Sequence, residues 1–411
     1  MDLLGTTQRK IEAFLGRVRA LKAGDFAQQD AATALADIEG MFGGFREQVI
    51  DLAANQVSPE VTMNHCRQVL EQLFAYLPIL GFLHRSKSAS NPFEVYRPLR
   101  RLAQRVIGLD THLVMSSEWN FSPHTLFRMP GLESYVLIGL PASEAHNALL
   151  TPLAGHEFGH SIWALEDIKA QILSSVSRES YDRVRGRWEQ FQEYYPRVTD
   201  EKQLLEEGEA LHALSRIQQL ALRQSEEIFC DLVGLYLFGE AYLHAFAYLL
   251  APGPGRHPEY PSIGSRVSYL LQCAPRCNVT VPDGYTGLFI IDEESIGSQA
   301  TFLLSVADEV AREQVDSLQE HVSQYMQGRQ IATIGEDNVG AILRSFELVV
   351  PPRNPHGLPE VLNAGWRARH NPTLWASQYQ INPRREQVLN ELLLKTAEVL
   401  EVQAQTDGEV L

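Results

Sequence analysis

Apolar residues return every three to four positions through most of this chain, a spacing that predicts helix after helix. Ile11, Phe14, Leu15, Val18 and Leu21 share one helical face, and Gly24 is a natural C-terminal stop. Leu35, Ile38, Phe42, Phe45, Val49 and Leu52 repeat the stripe. A third run opens with Ser58 as N-cap and Pro59 in the first turn, then carries Val61, Val69, Leu70, Leu73 and Leu77. Each stripe is expected to face a core. The rhythm changes twice, at residues 112–121 and 135–140, which are short and β-rich and predict strands, the second stopped by Pro141. A helix is then expected from near Ala142 into the segment 153–163. Beyond it, residues 165–195 and 202–224 predict two long polar helices, and 232–251 an apolar one. From Asp292 onward the chain reads as helix again, interrupted at 350–357 and closing with an amphipathic helix over 383–403. The expected class is mainly α (α+β), with a small sheet.

With 411 residues, 45% hydrophobic and 21% charged, the composition is that of an ordinary globular protein large enough for more than one core. The small-residue stretch 86–92 (SKSASNP) suggests a boundary. It divides the chain into an N-terminal helical region (1–85), a core (86–275) and a C-terminal helical region (276–411). A net charge of −16 argues against a general nucleic-acid binder. The cluster Arg97, Arg100, Arg101 and Arg105 reads as a solvated helix face. Residues 1–22 are basic without a continuous apolar run, so no secretory signal is expected there. Four cysteines do not make a disulfide framework, and Cys273 and Cys277 without a second pair are poor zinc-ribbon evidence. Reduced thiols and a cytoplasmic location are expected. Residues 232–251 are long and apolar enough to span a bilayer. Glu240 and His244 interrupt them, however, so a buried helix of a soluble core is expected, with no membrane span.

The candidate chemistry lies in His156-Glu157-Phe158-Gly159-His160. On a helix the two histidines project from one face and can grip one zinc ion, with Glu157 beside them as general base. A catalytic zinc needs a third protein ligand. Glu227 is the leading candidate because Asp231, one turn further on, could hold the free ring nitrogen of a zinc-bound histidine. Glu226 competes, with Cys230 as its neighbour one turn on. Both glutamates could instead be exposed charges favoured at a helix head.

Together, His156-Glu157-x-x-His160 and Glu227-x-x-x-Asp231 resemble the gluzincin class of zinc metallopeptidases, and most of all the M48 group with its HtpX-like and Ste24-like members. His257-Pro258, followed by Arg266, is similar to a segment that this group carries after the glutamate helix. The resemblance covers about residues 130–270. It implies a helical zincin-type core, a Zn2+ cofactor and a protein or peptide substrate. The oxyanion formed during hydrolysis needs a second electrophile, for which His257 and Arg266 are the candidates. Two rival readings stand beside it: a zinc-containing scaffold that binds a partner without cutting it, and a zinc hydrolase of a non-peptide bond. His124, His146, His244 and His356 read as surface or core residues, and residues 363–366 (NAGW) as packing.

Overall fold

The structure is a computed structural model describing residues 2–55, 57–87, 93–118, 124–125, 130–253, 256–257, 260–291, 297–375 and 382–406. Among these the chain is mainly helical, with one small three-stranded sheet. Its residues gather into two compact units, Met1–Gln104 with Gly108–Asn147, and Arg105–Ile107 with Ala148–Leu411. Contact therefore groups the chain differently from the three regions read from composition. Most of the linker signal, residues 88–92, lies outside the described residues. The helix after it joins the same core as those before it.

The first unit contains α1 (Leu3–Lys22), α2 (Gln29–Ala54), α3 (Pro59–Arg85) and α4 (Phe93–Val106). Its sheet has β1 (His112–Glu118), β2 (His124–Thr125) and β3 (Tyr135–Pro141), in the order β1-β3-β2. β1 runs parallel to β3, with Val114 opposite Leu137, and β2 is antiparallel to β3. Residues 119–121 of the expected first strand lie outside the described residues. Ile11, Phe14, Leu35, Phe42, Leu73 and Tyr76 are among the buried side chains of this core. On α3 the buried stripe is Cys66, Val69, Leu73, Tyr76 and Leu80, whereas Val61 and Leu77, expected inside, are exposed. The free edge of β1 is closed by side chains. The Gln28 amide exchanges two hydrogen bonds with the Met115 backbone (3.0 and 2.8 Å), and Asp30 accepts from the Leu113 N–H at 2.9 Å. Backbone groups that would otherwise be left without partners are satisfied in this way. Arg100 does not sit on a solvated face; its Nε donates to Asp30 at 2.6 Å.

The second unit holds α5 (Ala154–Leu165), α6 (Ile168–Gly186), α7 (Trp188–Tyr194), α8 (Gly208–Phe238), α9 (Glu240–Leu250), α10 (Ile263–Cys273), α11 (Gln299–Glu313), α12 (Val315–Gly328), α13 (Glu336–Glu347), α14 (Leu358–His370) and α15 (Asn382–Thr406). Its axis is α8, against which α5, α6, α10, α11 and α12 pack. From Gln224 to Phe238 every residue of α8 but Glu226 is buried. Three expected boundaries move. The motif helix starts at Ala154 rather than near Ala142; the residues before it form two 3₁₀ turns, the second containing Pro152, which has no N–H to give an α-helical turn. The span 165–195 is broken at Asp167, whose φ is +48°, and again at Arg187. The polar and apolar helices expected on either side of residue 225 are one helix, α8, and the break comes later, at Gly239 with φ +56°. No helix of the described residues is long and apolar enough to cross a membrane.

Candidate metal centre

Two glycines bring α5 onto α8. A methyl group at Gly159 would stand 2.5 Å from the Cα of Cys230, and one at Gly155 would stand 2.9 Å from the Cα of Gly234. The helices thus meet backbone to backbone along one turn-spaced seam, closer than any larger residue allows. That approach carries His156 and His160, on the adjoining face, over the acidic turn Glu226-Glu227-x-x-x-Asp231. Gly234 performs a similar service for α9, because the ring of Tyr242 fills the space a side chain would occupy there.

The two imidazoles are held alike. Nδ1 of His156 lies 2.9 Å from Oδ1 of Asp231, and Nδ1 of His160 lies 2.9 Å from Oε1 of Glu226. The Nε2 atoms both turn toward Glu227, at 3.2 Å from Oε2 and 3.9 Å from Oε1 respectively. Glu227 itself is fully buried, yet neither of its oxygens accepts a hydrogen bond among the described residues. Arg223 approaches one of them at 3.4 Å and pairs more closely, at 2.8 Å, with Glu226. Asp231 is fixed from three sides: Arg266 donates from Nε at 2.8 Å and Nη2 at 2.7 Å, and the Tyr242 hydroxyl donates at 2.8 Å.

Charge in this pocket is unbalanced. Four carboxylates, Glu157, Glu226, Glu227 and Asp231, are met by two guanidinium groups, Arg223 and Arg266. A divalent cation would supply the two missing positive charges. Burial disfavours a charged His156, but its contacts with Asp231 and Glu227 outweigh burial and carry the imidazole up to about 10. Burial likewise opposes ionisation of Asp231, and the charge and hydrogen bonds of Arg266 overcome it, leaving the carboxyl well below its usual range. Cys230 is pushed the other way, by burial and then by Glu227, Glu226 and Glu157. Glu227, paired with His156 at 3.2 Å and facing the ring nitrogen of His160, presents with the two histidines a set of donors that could hold a metal ion. His156, His160 and Cys230 also have their donor atoms within 4.8 Å of one another, so the thiol is a rival third donor.

No family model, curated protein or solved structure matches this chain. The centre must be judged on its own residues.

Of the residues singled out from the sequence, His156, Glu157, His160, Glu227 and Asp231 come together on α5 and α8. Glu226 belongs to the cluster too, holding His160. Arg266 arrives on α10, where its Nε and Nη2 donate to Asp231 and hold that carboxylate in place. His257 lies in the exposed loop before α10, its ring 5.4 Å from that of Tyr260; its partner in the motif, Pro258, lies outside the described residues. Sequence reasoning missed Tyr260. Its phenol is raised by partial burial first and then by Glu227, with Arg223 and Arg266 opposing and Glu157 adding to the rise. The Arg266 guanidinium lies 5.9 Å from the centre of its ring, and the residue is 37% exposed. A tyrosine in a loop of aromatic and proline residues carries no periodic signal that would have marked it. Asn363 packs as expected, bridging the Phe238 carbonyl and the Ala241 N–H across the α8–α9 break.

Proposed function

We propose that this protein is a zinc-dependent hydrolase of peptide bonds, a divergent gluzincin-like metallopeptidase acting on a protein or peptide substrate. His156, His160 and Glu227 are its metal ligands and Glu157 is its general base. The observation that carries the reading is the paired orientation of the histidines. Each has Nδ1 tied to a carboxylate, and each turns Nε2 to a buried Glu227 whose oxygens accept no hydrogen bond. Carboxylate partners of this kind fix the tautomer and raise the basicity of a metal-bound imidazole. Bound zinc supplies Lewis acidity toward a carbonyl and acidifies a water molecule. Glu157 accepts the proton of the attacking water and delivers it to the departing amine. The Tyr260 phenol, with His257 beside it, is the donor for the developing oxyanion. Asp231, clamped by Arg266 and Tyr242, keeps His156 in register throughout.

Metal analysis and peptidase assays on three proteins test this. Wild type and Glu157→Gln should hold zinc equally, with kcat lower by about 10²- to 10⁴-fold in the variant. Glu227→Ala should lose most of its zinc. Full activity in Glu157→Gln would sink the reading. A scaffold role is favoured by one observation, the proximity of Cys230 to both histidines. Four protein ligands would close the site and leave no place for water. Cys230→Ala separates the two: zinc and activity are retained at a catalytic centre and zinc is lost from a closed one.

A further inference from the structure

A second cavity, of about 840 Å³, opens beside α9 and α14 and contains none of the residues of the metal centre. Its volume lies within the range of small-molecule sites. On α9, His244 and Tyr248 face the cavity. Tyr242, two residues before His244 and so about 200° around the helix, faces Asp231 instead. The floor is the indole of Trp366, anchored by a hydrogen bond from Nε1 to the Leu149 carbonyl (3.0 Å) and stacked by His244 at 5.2 Å between ring centres. Tyr248 and Leu288 form apolar walls that are partly open to solvent.

The cations of this cavity differ in how they are used. Arg367 is committed, donating to Glu240 at 2.8 Å and to both oxygens of Glu336 at 2.6 and 2.9 Å. Glu240 also receives His244, at 3.2 Å. Arg369 is different. Its guanidinium carbon lies 5.0 Å from the ring centre of Tyr248 and 5.2 Å from that of Trp366, and its carboxylate partner is Glu386, 3.3 Å away on a side chain 61% exposed. An exposed pair of that kind contributes little and is readily exchanged for another anion. His370 stands next to it, 4.2 Å from His244 between ring centres, and burial with the nearby His244 and Arg369 lowers its pKa. Two carboxylates line the cavity and oppose an anion: Glu240, whose charge is met by Arg367 and His244, and Asp283, which is exposed.

We propose that this cavity binds an organic carboxylate with a flat apolar body, its anion against Arg369 and His370 and its ring against Tyr248 and Leu288. The Arg369 guanidinium is held beside two aromatic rings and its side chain is only 22% exposed, so part of the cost of ordering and desolvating its fork for a carboxylate is already met. The apolar walls supply affinity for the ring. The inference does not depend on the metal reading.

Calorimetric titration of the full chain with naphthalene-2-carboxylate, and with the neutral 2-naphthalenemethanol, tests it. The acid should bind more tightly than the alcohol by about tenfold or more. Arg369→Gln should bring the acid down to the alcohol's affinity while leaving the alcohol unchanged, which also shows that the variant is folded. Asp283→Asn should tighten the acid alone. Equal binding of acid and alcohol by the wild type, or an acid preference that survives Arg369→Gln, overturns the proposal, as does failure of the acid to bind at about millimolar concentration. A carboxylate can also be taken up by a metal centre, so Glu227→Ala is included. Unchanged binding there is expected, and loss there with retention in Arg369→Gln places the ligand elsewhere and overturns the assignment.

Discussion

Asp231 joins more of the centre than any histidine does, since His156, Tyr242 and Arg266 all converge on its two oxygens. Asp231→Asn keeps the shape but removes the charge that Arg266 was buried to meet. Zinc affinity should fall by about 10- to 100-fold, measured by chelator competition. Unfolding should become easier by about 3–5 kcal/mol in urea titrations, the usual cost of stranding a buried charge. A variant that keeps both values would show that the Arg266 clamp is ornamental. Tyr260→Phe is the gentler probe, because the ring stays beside His257 and only the hydroxyl goes. Zinc content should not change, while kcat should drop by about 10²-fold; an unaltered kcat would return the oxyanion role to another donor. At this scale the His-Glu-x-x-His spacing was legible because four residues make one helical turn, whatever surrounds the helix. The division of labour between Glu226 and Glu227 was open in the sequence. Neighbours on a helix point about 100° apart, and which of them faces the Nε2 atoms of the two histidines depends on where α5 crosses. The sequence marked Arg266 as a candidate but could not show its pairing with Asp231, which lies 35 positions away on another helix.

α5 and α8 depend on their glycine seam. Gly159→Ala places a methyl group 2.5 Å from backbone of the facing helix, which cannot rotate away as a side chain would. The helices must part, at a cost of about 1–3 kcal/mol in a thermal or urea melt, and zinc should bind more weakly because the histidines withdraw from Glu227. Gly186→Ala on α6 is the control. Nothing lies within 4 Å of the added methyl, so stability should hold or rise slightly. Equal losses in the two variants would show that general helix effects, and not the seam, govern Gly159. Apolar periodicity located most helices, and misjudged their ends where local conformation intervened. Asp167 and Gly239 adopt positive φ and stop helices that the hydrophobic pattern would continue. Conversely, the change from polar to apolar near residue 225 marks no break at all. It is where α8 passes from a partly exposed flank into the middle of the unit.

In the first unit, Asp30 joins α2, α4 and β1 through Arg100, His112 and the Leu113 N–H. Burial raises the pKa of this carboxyl, but these partners outweigh burial and hold it below its ordinary value of 3.8. A folded value below the unfolded one means the stabilisation is present at neutral pH and is lost as pH falls through and below that range. The stability difference between wild type and Asp30→Asn should therefore be large at pH 7 and shrink as the pH falls below the ordinary carboxylate value of 3.8, read from urea midpoints. A difference independent of pH would mean that Asp30 acts by shape alone.

The sequence by itself determined the class of the fold, the placing of His156, Glu157 and His160 on one helical turn, and the acidic turn of Glu226, Glu227 and Asp231. Those follow from periodicities of one or two turns that the backbone imposes locally. Only the tertiary structure decided which glutamate lies nearer both imidazoles and which holds His160, that Arg266 pairs with Asp231, and how the chain divides into compact units. Each of these depends on distances between helices far apart in the chain. Those distances are set by packing, here by two glycines thin enough to let α5 and α8 touch.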